Sequence, residues 1–257
     1  FNGGEITPEN STDILGRESF ELPAEPFSGI EQLDWAPDSR HIAYSCRKKT
    51  GIEYAFSTNS CIYVYDIATG NTVPVTTTGG YDTDPVWNKD GTHLAWISMA
   101  RDGYEADRQR LMVSDVRLGD NFEFSNVREV TPDFDHDVSS PVWYNNEIFF
   151  SSMVSEGEQA LFSTDLKGDI GRITQADWWY DFASPFAVIV KNDDIHLLAS
   201  YYCLKFPTEL VSIDISGSVT SFKQITHEND HIISQLSDIS EQSVHVETVD
   251  HKQMQCW

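Results

Sequence analysis

YVYDIATGN, at residues 63–71, returns three more times along the chain: as MVSDVRLGD at 112–120, FSTDLKGDI at 162–170 and VSIDISGSV at 211–219. Aligning the four brings Asp66, Asp115, Asp165 and Asp214 into one column, at spacings of 49, 50 and 49 residues. Apolar residues alternate before each Asp and a Gly follows soon after it, which reads as a strand, a tight turn and a returning strand. The returning strand ends on Thr every time, in VPVT, REVT, GRIT and KQIT, at Thr76, Thr131, Thr174 and Thr226.

A second motif interleaves with the first. LDWAPDSRHIAYSC starts at Leu33, DPVWNKDGTHLAWIS at Asp84 and SPVWYNNEIFFSS at Ser140, with a degenerate copy, SPFAVIVKNDDIHLLAS, at Ser184. Each is a short strand with an aromatic or Pro, a turn rich in Asp, Asn or Gly, and a strand of alternating apolar residues. Every repeat therefore holds four strands. Four-stranded units at this period are the signature of β-propeller blades, whose sheets bury their faces against one another. The expected fold is all-β, a partial propeller of about four four-stranded blades forming an open arc of a larger ring. Trp35, Trp87 and Trp143 share one phase of the repeat and are expected to fill the wedges between blades. No segment sustains a 3.6-residue apolar period over three turns, so helix is expected to be scarce.

Both ends depart from the repeat. EITP at residues 5–8 matches the end of a blade, so residues 1–29 read as the end of a preceding blade and a linker, and 30–227 as four blades. Residues 228–257 read as the start of a further blade, through ISQLSDIS, followed by a lead-in to a domain outside the chain. Within that lead-in, EQSVHVETVDHKQMQCW has strand, Asp-His turn, strand character.

The whole chain limits the partners. It has 257 residues with 41 Asp and Glu against 17 Lys and Arg, a formal charge of −24. Such a field repels phosphate backbones and anionic membrane surfaces, which argues against nucleic acid, and suits cationic groups such as peptide amino termini. No apolar run approaches the roughly 18 residues of a membrane span, so no membrane insertion is expected. Cys46, Cys61, Cys203 and Cys256 form no CxxC pair and have no His at zinc spacing, so no metal is expected. Asp133, Asp135 and Asp137 alternate like the start of a calcium loop but lack its central Gly and closing Glu, and read as turn residues. No cofactor motif is present.

WAPDSRHIAY and WNKDGTHLAW resemble TolB-type propeller repeats. The longer strings FSGIEQLDWAPDSRHIAYSCRKKTGIEYAFSTNSCIYVYD, from Phe27, and SMARDGYEADRQRLMVSD, from Ser98, resemble the propeller of the prolyl oligopeptidase family, in the dipeptidyl peptidase and acylaminoacyl peptidase branch of Bacteroides-like bacteria. VHVETVDHKQMQCW is similar to the segment leading from that propeller into an α/β-hydrolase domain. The resemblance implies the non-catalytic propeller portion of a secreted or periplasmic serine exopeptidase, gating short peptides into a hydrolase domain that this chain lacks. That domain's nucleophile elbow needs G-x-S-x-G, and no two glycines here lie four residues apart, so no catalytic residue is assigned within the chain. The alternative is a stand-alone TolB-like propeller acting as a protein-interaction scaffold; a propeller glycosidase is weaker, because the acidic residues cluster in outer loops and turns.

The long, charged loops between second and third strands, Arg47 to Ser60 and Arg101 to Gln109, share one rim, where function usually concentrates. The resemblance implies that this rim faces the hydrolase. Glu53, Tyr54, Tyr104, Glu105 and Asp107 are the candidate substrate-binding residues, with Glu53 and Glu105 foremost, because holding a free amino terminus requires carboxylates. The competing reading is that these carboxylates pair with Lys48, Lys49, Arg101 and Arg108 and merely order the loops. Cys46 and Cys61 flank the first loop, where they can form a disulfide or pack as two reduced, small apolar side chains.

Overall fold

A computed structural model describes residues 7, 11–16, 18–24, 28–154, 157–175, 178, 180–191, 194–216 and 219–257. EITP, apart from Thr7, lies outside the described residues. Regular structure is almost wholly strand. β1 (Leu33–Trp35), β2 (His41–Cys46), β3 (Cys61–Asp66) and β4 (Asn71–Pro74) form the first sheet, and β5 (Tyr81–Trp87), β6 (His93–Met99), β7 (Arg110–Arg117) and β8 (Glu123–Glu129) the second. β9 (Ser139–Tyr144), β10 (Glu147–Met153), β11 (Gln159–Asp165) and β12 (Ile170–Arg172) form the third; β13 (Asp181–Lys191), β14 (Asp194–Cys203), β15 (Phe206–Ser216) and β16 (Val219–Gln224) form the fourth. In each sheet the strands follow chain order, so each is a meander, and the chain is a partial β-propeller of four blades. Helix is confined, among the described residues, to α1 (Ile52–Phe56), α2 (Asp230–Ile233) and a 3-10 turn at Ile30–Gln32.

Two compact units divide the chain, residues 1–108 with 114–127, and residues 109–113 with 128–257. In the first, β5 packs on β1, β2 and β3, and the Trp87 amide donates to Asp34 Oδ2 at 2.8 Å. In the second, β13 packs on β9, β10 and β11, and Phe149, Leu161, Phe182, Leu197, Val211 and Ile213 form a buried cluster. The second strand β2 is covered on both faces, being buried at all six positions. The third strand β3 alternates between buried and partly buried positions.

The repeated Thr has a physical reason. The Thr76 hydroxyl accepts the Ile62 amide at 3.0 Å, Thr131 that of Leu111 at 3.0 Å, Thr174 that of Leu161 at 3.1 Å and Thr226 that of Leu210 at 2.8 Å. Each outer strand is thereby closed onto the third strand of its own blade by a side chain standing in for a backbone acceptor.

The repeated Asp holds one place with changing partners. Asp66 lies opposite His41, Asp165 opposite Glu147 and Asp214 opposite His196, each near the start of a second strand. Asp66 accepts the Arg40 guanidinium through both oxygens at 2.8 Å, with the Ala68 amide at 2.9 Å. Asp115 accepts Asn126 Nδ2 at 3.0 Å and lies 3.4 Å from His93 Nε2. Asp165 accepts the Lys167 amide at 2.8 Å, and Asp214 bonds His196 Nδ1 at 2.6 Å. Accepting the amide two residues on, as Asp66 and Asp165 do, is what starts the third-to-fourth turn.

Two expectations need correction. Trp87 is buried, but Trp35 is 53% exposed and fills no wedge, because its three-residue strand has no preceding sheet beside it among the described residues. In the fourth blade the first strand runs on through Val188, Ile189 and Val190 to Lys191, displacing the turn that is tight elsewhere. After α2, residues 234–243 form no strand, and Leu236 and Ile239 are exposed. The strand–turn–strand reading of the tail holds, as β17 (Val244–Glu247) pairs with β18 (Gln253–Cys256) and His251 takes a φ of 61° in the turn.

Asp84 precedes Pro85 at a φ of 52°, where β5 slips out of register against β6; Ser140 repeats this before Pro141, at 51°. Asp and Asn tolerate that conformation best. Burial pushes the Asp84 carboxyl up to about 6; the Thr83 hydroxyl, donating at 2.8 Å, opposes the shift and the Glu31 charge adds to it. An unfolded chain ionises Asp84 near the ordinary 3.8, so the stability present below that value is lost as pH rises through about 6. Asp84→Asn keeps the shape and the acceptor and removes the charge. It is expected to raise the unfolding free energy by about 1–3 kcal/mol at pH 7.5 and very little at pH 4, read from urea midpoints at the two pH values.

Candidate functional site

The two long loops lie in the first unit and are built differently. The first leaves β2 after Cys46 and returns to β3 at Cys61, and carries α1. Gly51, at a φ of 59°, turns the chain into α1, and the Ser57 amide closes it on the Glu53 carbonyl at 2.9 Å. The Arg47 guanidinium lies 3.8 Å from the centre of the Tyr54 ring and donates to the Ser57 carbonyl at 3.1 Å. The Tyr54 hydroxyl donates to Glu21 at 2.5 Å, and that acceptor, ahead of burial, raises its pKa. Lys48 pairs with Glu18 at 2.5 Å.

In the second loop Arg101 lies 3.9 Å from the Tyr104 ring centre and pairs with Asp107 at 3.0 Å. Asp107 also accepts the Ala100 and Arg101 amides at 3.1 Å each, and the Arg101 guanidinium holds its carboxyl down at about 2. Asp102 joins the two loops. It accepts the Ser57 hydroxyl through both oxygens, at 2.9 and 2.8 Å, the Thr58 amide at 2.8 Å and the Asn59 amide at 3.0 Å. These bonds, the Ser57 hydroxyl first, hold its pKa below the usual range. The Gly103 amide donates back to Thr58 Oγ1 at 2.9 Å. Neither Asp102 nor Ser57 was singled out by sequence, since residues 45 apart outside the repeat carry no shared signal.

The five candidates therefore separate. Tyr54 and Asp107 are engaged in ordering the loops, and Tyr104 is stacked by Arg101 but still 47% exposed. Glu53 and Glu105 are exposed, and among the described residues neither side-chain carboxylate has a hydrogen-bond or ion-pair partner. Of the cations in these loops, Arg101 pairs with Asp107 and Lys48 with Glu18. Ile52 and Phe56, 75% and 76% exposed, place apolar surface on the same helix as Glu53. An ordered platform with two unpaired carboxylates and exposed apolar side chains can hold an ammonium group and the side chains beside it.

Four-stranded meanders repeating every 50 or so residues, with long loops after the second strand in the first two, define the class: propeller blades of the type found in TolB and in peptidases related to prolyl oligopeptidase. The structure superposes on the uncomplexed acylaminoacyl peptidase of Pyrococcus horikoshii with a TM-score of 0.63, at 16% identity, over 90% of this chain and 32% of that one. It superposes on TolB of Agrobacterium tumefaciens with a TM-score of 0.51, at 17% identity, over 74% of this chain and 63% of that one. In sequence the chain is homologous to dipeptidyl-peptidase 5, being 37% identical over 250 residues to that of Porphyromonas gingivalis, which is 95% of this chain and 34% of that protein. The chain spans about a third of the length of the curated relatives it matches. No protein-family profile matches it.

Proposed function

We propose that this chain is the propeller portion of a secreted or periplasmic serine exopeptidase, and that it gates and positions short peptides for an α/β-hydrolase domain elsewhere in the same protein. The observation that carries the reading is the pair of unpaired carboxylates, Glu53 and Glu105, on a loop platform that is otherwise tied down. They hold the free amino terminus of the peptide, and Tyr104 and Phe56 offer apolar surface for its side chains. A carboxylate–ammonium bond is worth about 1.5–3 kcal/mol, so each is expected to matter by roughly ten- to a hundredfold.

The test uses the full-length protein that contains this chain. Glu53→Gln and Glu105→Gln, singly and together, are expected to lower kcat/KM for dipeptidyl p-nitroanilides about 10–100-fold while leaving N-acylated substrates unchanged. Equal rates for free and acylated substrates in wild type and variants would sink the carboxylate role. The likeness to TolB favours a second reading, a scaffold for a protein partner, which an active full-length peptidase would overturn.

A further inference from the structure

Four cysteines are distributed over three antiparallel ladders, and only one ladder sets two of them against each other. Cys203 lies opposite Phe206 and Cys256 opposite Val244, whereas Cys46 and Cys61 are direct partners in the pairing of β2 with β3. Directly opposed residues of an antiparallel pair place their side chains on one sheet face with Cα atoms about 4.5–5.5 Å apart, inside the range a disulfide spans. Both thiols are free in this structure, and the contacts of both to backbone are long: Cys46 Sγ lies 3.6 Å from the Glu21 carbonyl oxygen and Cys61 Sγ 3.9 Å from that of Thr78. Thiols are weak donors, so turning both side chains inward forfeits little.

We propose that Cys46 and Cys61 form a disulfide that staples the root of the loop bearing α1, Glu53 and Tyr54. Cys46 is 1% exposed and Cys61 is only partly buried, which orders the chemistry. The Cys61 thiol loses its proton and attacks a disulfide oxidant, either a small molecule or a protein, releasing one thiol of the oxidant and leaving a mixed disulfide at Cys61. The Cys46 thiolate then attacks the Cys61 sulfur and expels the second thiol. Two protons and two electrons pass to the oxidant, and one S–S bond forms within the chain. Burial pushes the Cys46 thiol up to about 11 and raises that of Cys61, so the reduced folded chain exchanges slowly, and formation is fastest while the loop is still assembling.

Sequence makes the test direct. Trypsin cuts after Arg40, Arg47, Lys49 and Lys89, placing Cys46 in peptide 41–47 and Cys61 in peptide 50–89. The chain refolded in a glutathione redox buffer, alkylated and digested without reduction, is expected to yield those two peptides as one species lighter than their sum by two hydrogens, with Cys203 and Cys256 alkylated. Reduction is expected to lower Tm by about 5 °C or more, because a closed loop of about 15 residues restricts the unfolded chain. That shift should persist in Cys203→Ser/Cys256→Ser and vanish in Cys46→Ser/Cys61→Ser. Alkylation of both Cys46 and Cys61 across the whole range of buffer potentials, or their linkage to other cysteines instead, would overturn the proposal. The peptide map needs no variant to fold and is independent of where the protein resides.

Discussion

Asp66→Ala is expected to cost about 2–4 kcal/mol of folding stability, the loss that follows when one partner of a buried ion pair is removed. The Asp66 side chain is 2% exposed, and it receives the Arg40 guanidinium through two oxygens, the Ala68 amide and the Thr69 hydroxyl. Removing it strands all of these and leaves Arg40 with Asp120 alone, at 2.8 Å and on the surface. Arg40 holds the Asp66 carboxyl far below its ordinary 3.8, so the stability it contributes is complete above that value and is lost as pH falls below it. The cost of the substitution should therefore stay level from pH 8 to pH 5 and shrink in strong acid. Urea titrations at several pH values measure both the size and the profile; a cost below about 0.5 kcal/mol would show that the pair is structurally idle. Asp115→Ala should be milder, because that carboxylate is 40% exposed and its His93 contact is long.

Gly80→Ala is expected to cost about 3 kcal/mol or more and to act through sterics alone. A Cβ at Gly80 would stand 2.0 Å from the Met99 carbonyl oxygen and 3.1 Å from the Ala100 carbonyl carbon, all of it backbone that no rotamer can clear. Relief requires β5 and β6 to part where Tyr81 pairs with Met99, beside the Gly80 carbonyl that Asn59 Nδ2 holds at 2.7 Å. The substitution should thus loosen the platform as well as the blade. Gly79→Ala is the control, since its Cβ would meet nothing within 4 Å. Thermal unfolding of the two variants side by side separates the steric effect from a general effect of Ala; equal midpoints would refute the close approach.

The blade order was legible because strands packed in a repeating sheet must repeat what they pack with: the Thr acceptor, the turn-starting Asp and the alternation before it. Identity was not required for this. The first-to-second turns place Ser39, Gly91 and Asn145 at positive φ in corresponding positions, three different residues that share only their tolerance of that conformation. Glu53 and Glu105 could be proposed from loop length and charge, but which carboxylates are engaged could not, since Asp102, Asp107 and Glu105 look alike in sequence and differ only in the amides the fold brings to them. α1 escaped notice because five residues cannot show a helical period; it is held by Arg47 and Glu21 through Tyr54 rather than by propensity. Trp35 misled because its phase in the repeat matches that of Trp87 while its surroundings do not.

The outer strands of the blades bear on how the chain behaves at high concentration. An outer strand leaves half its backbone groups unpaired, which invites another molecule to add its own strand there and begin a fibril. β4 is only four residues long and ends in Pro74, while β12 is three residues long and includes Arg172, so neither offers a ladder of useful length. β8 and β16 are longer but carry Arg128 and Lys223 along the edge. With a formal charge of −24 pushing molecules apart, these blunt edges give the chain a built-in resistance to amyloid-like self-association despite a fold composed almost wholly of sheet.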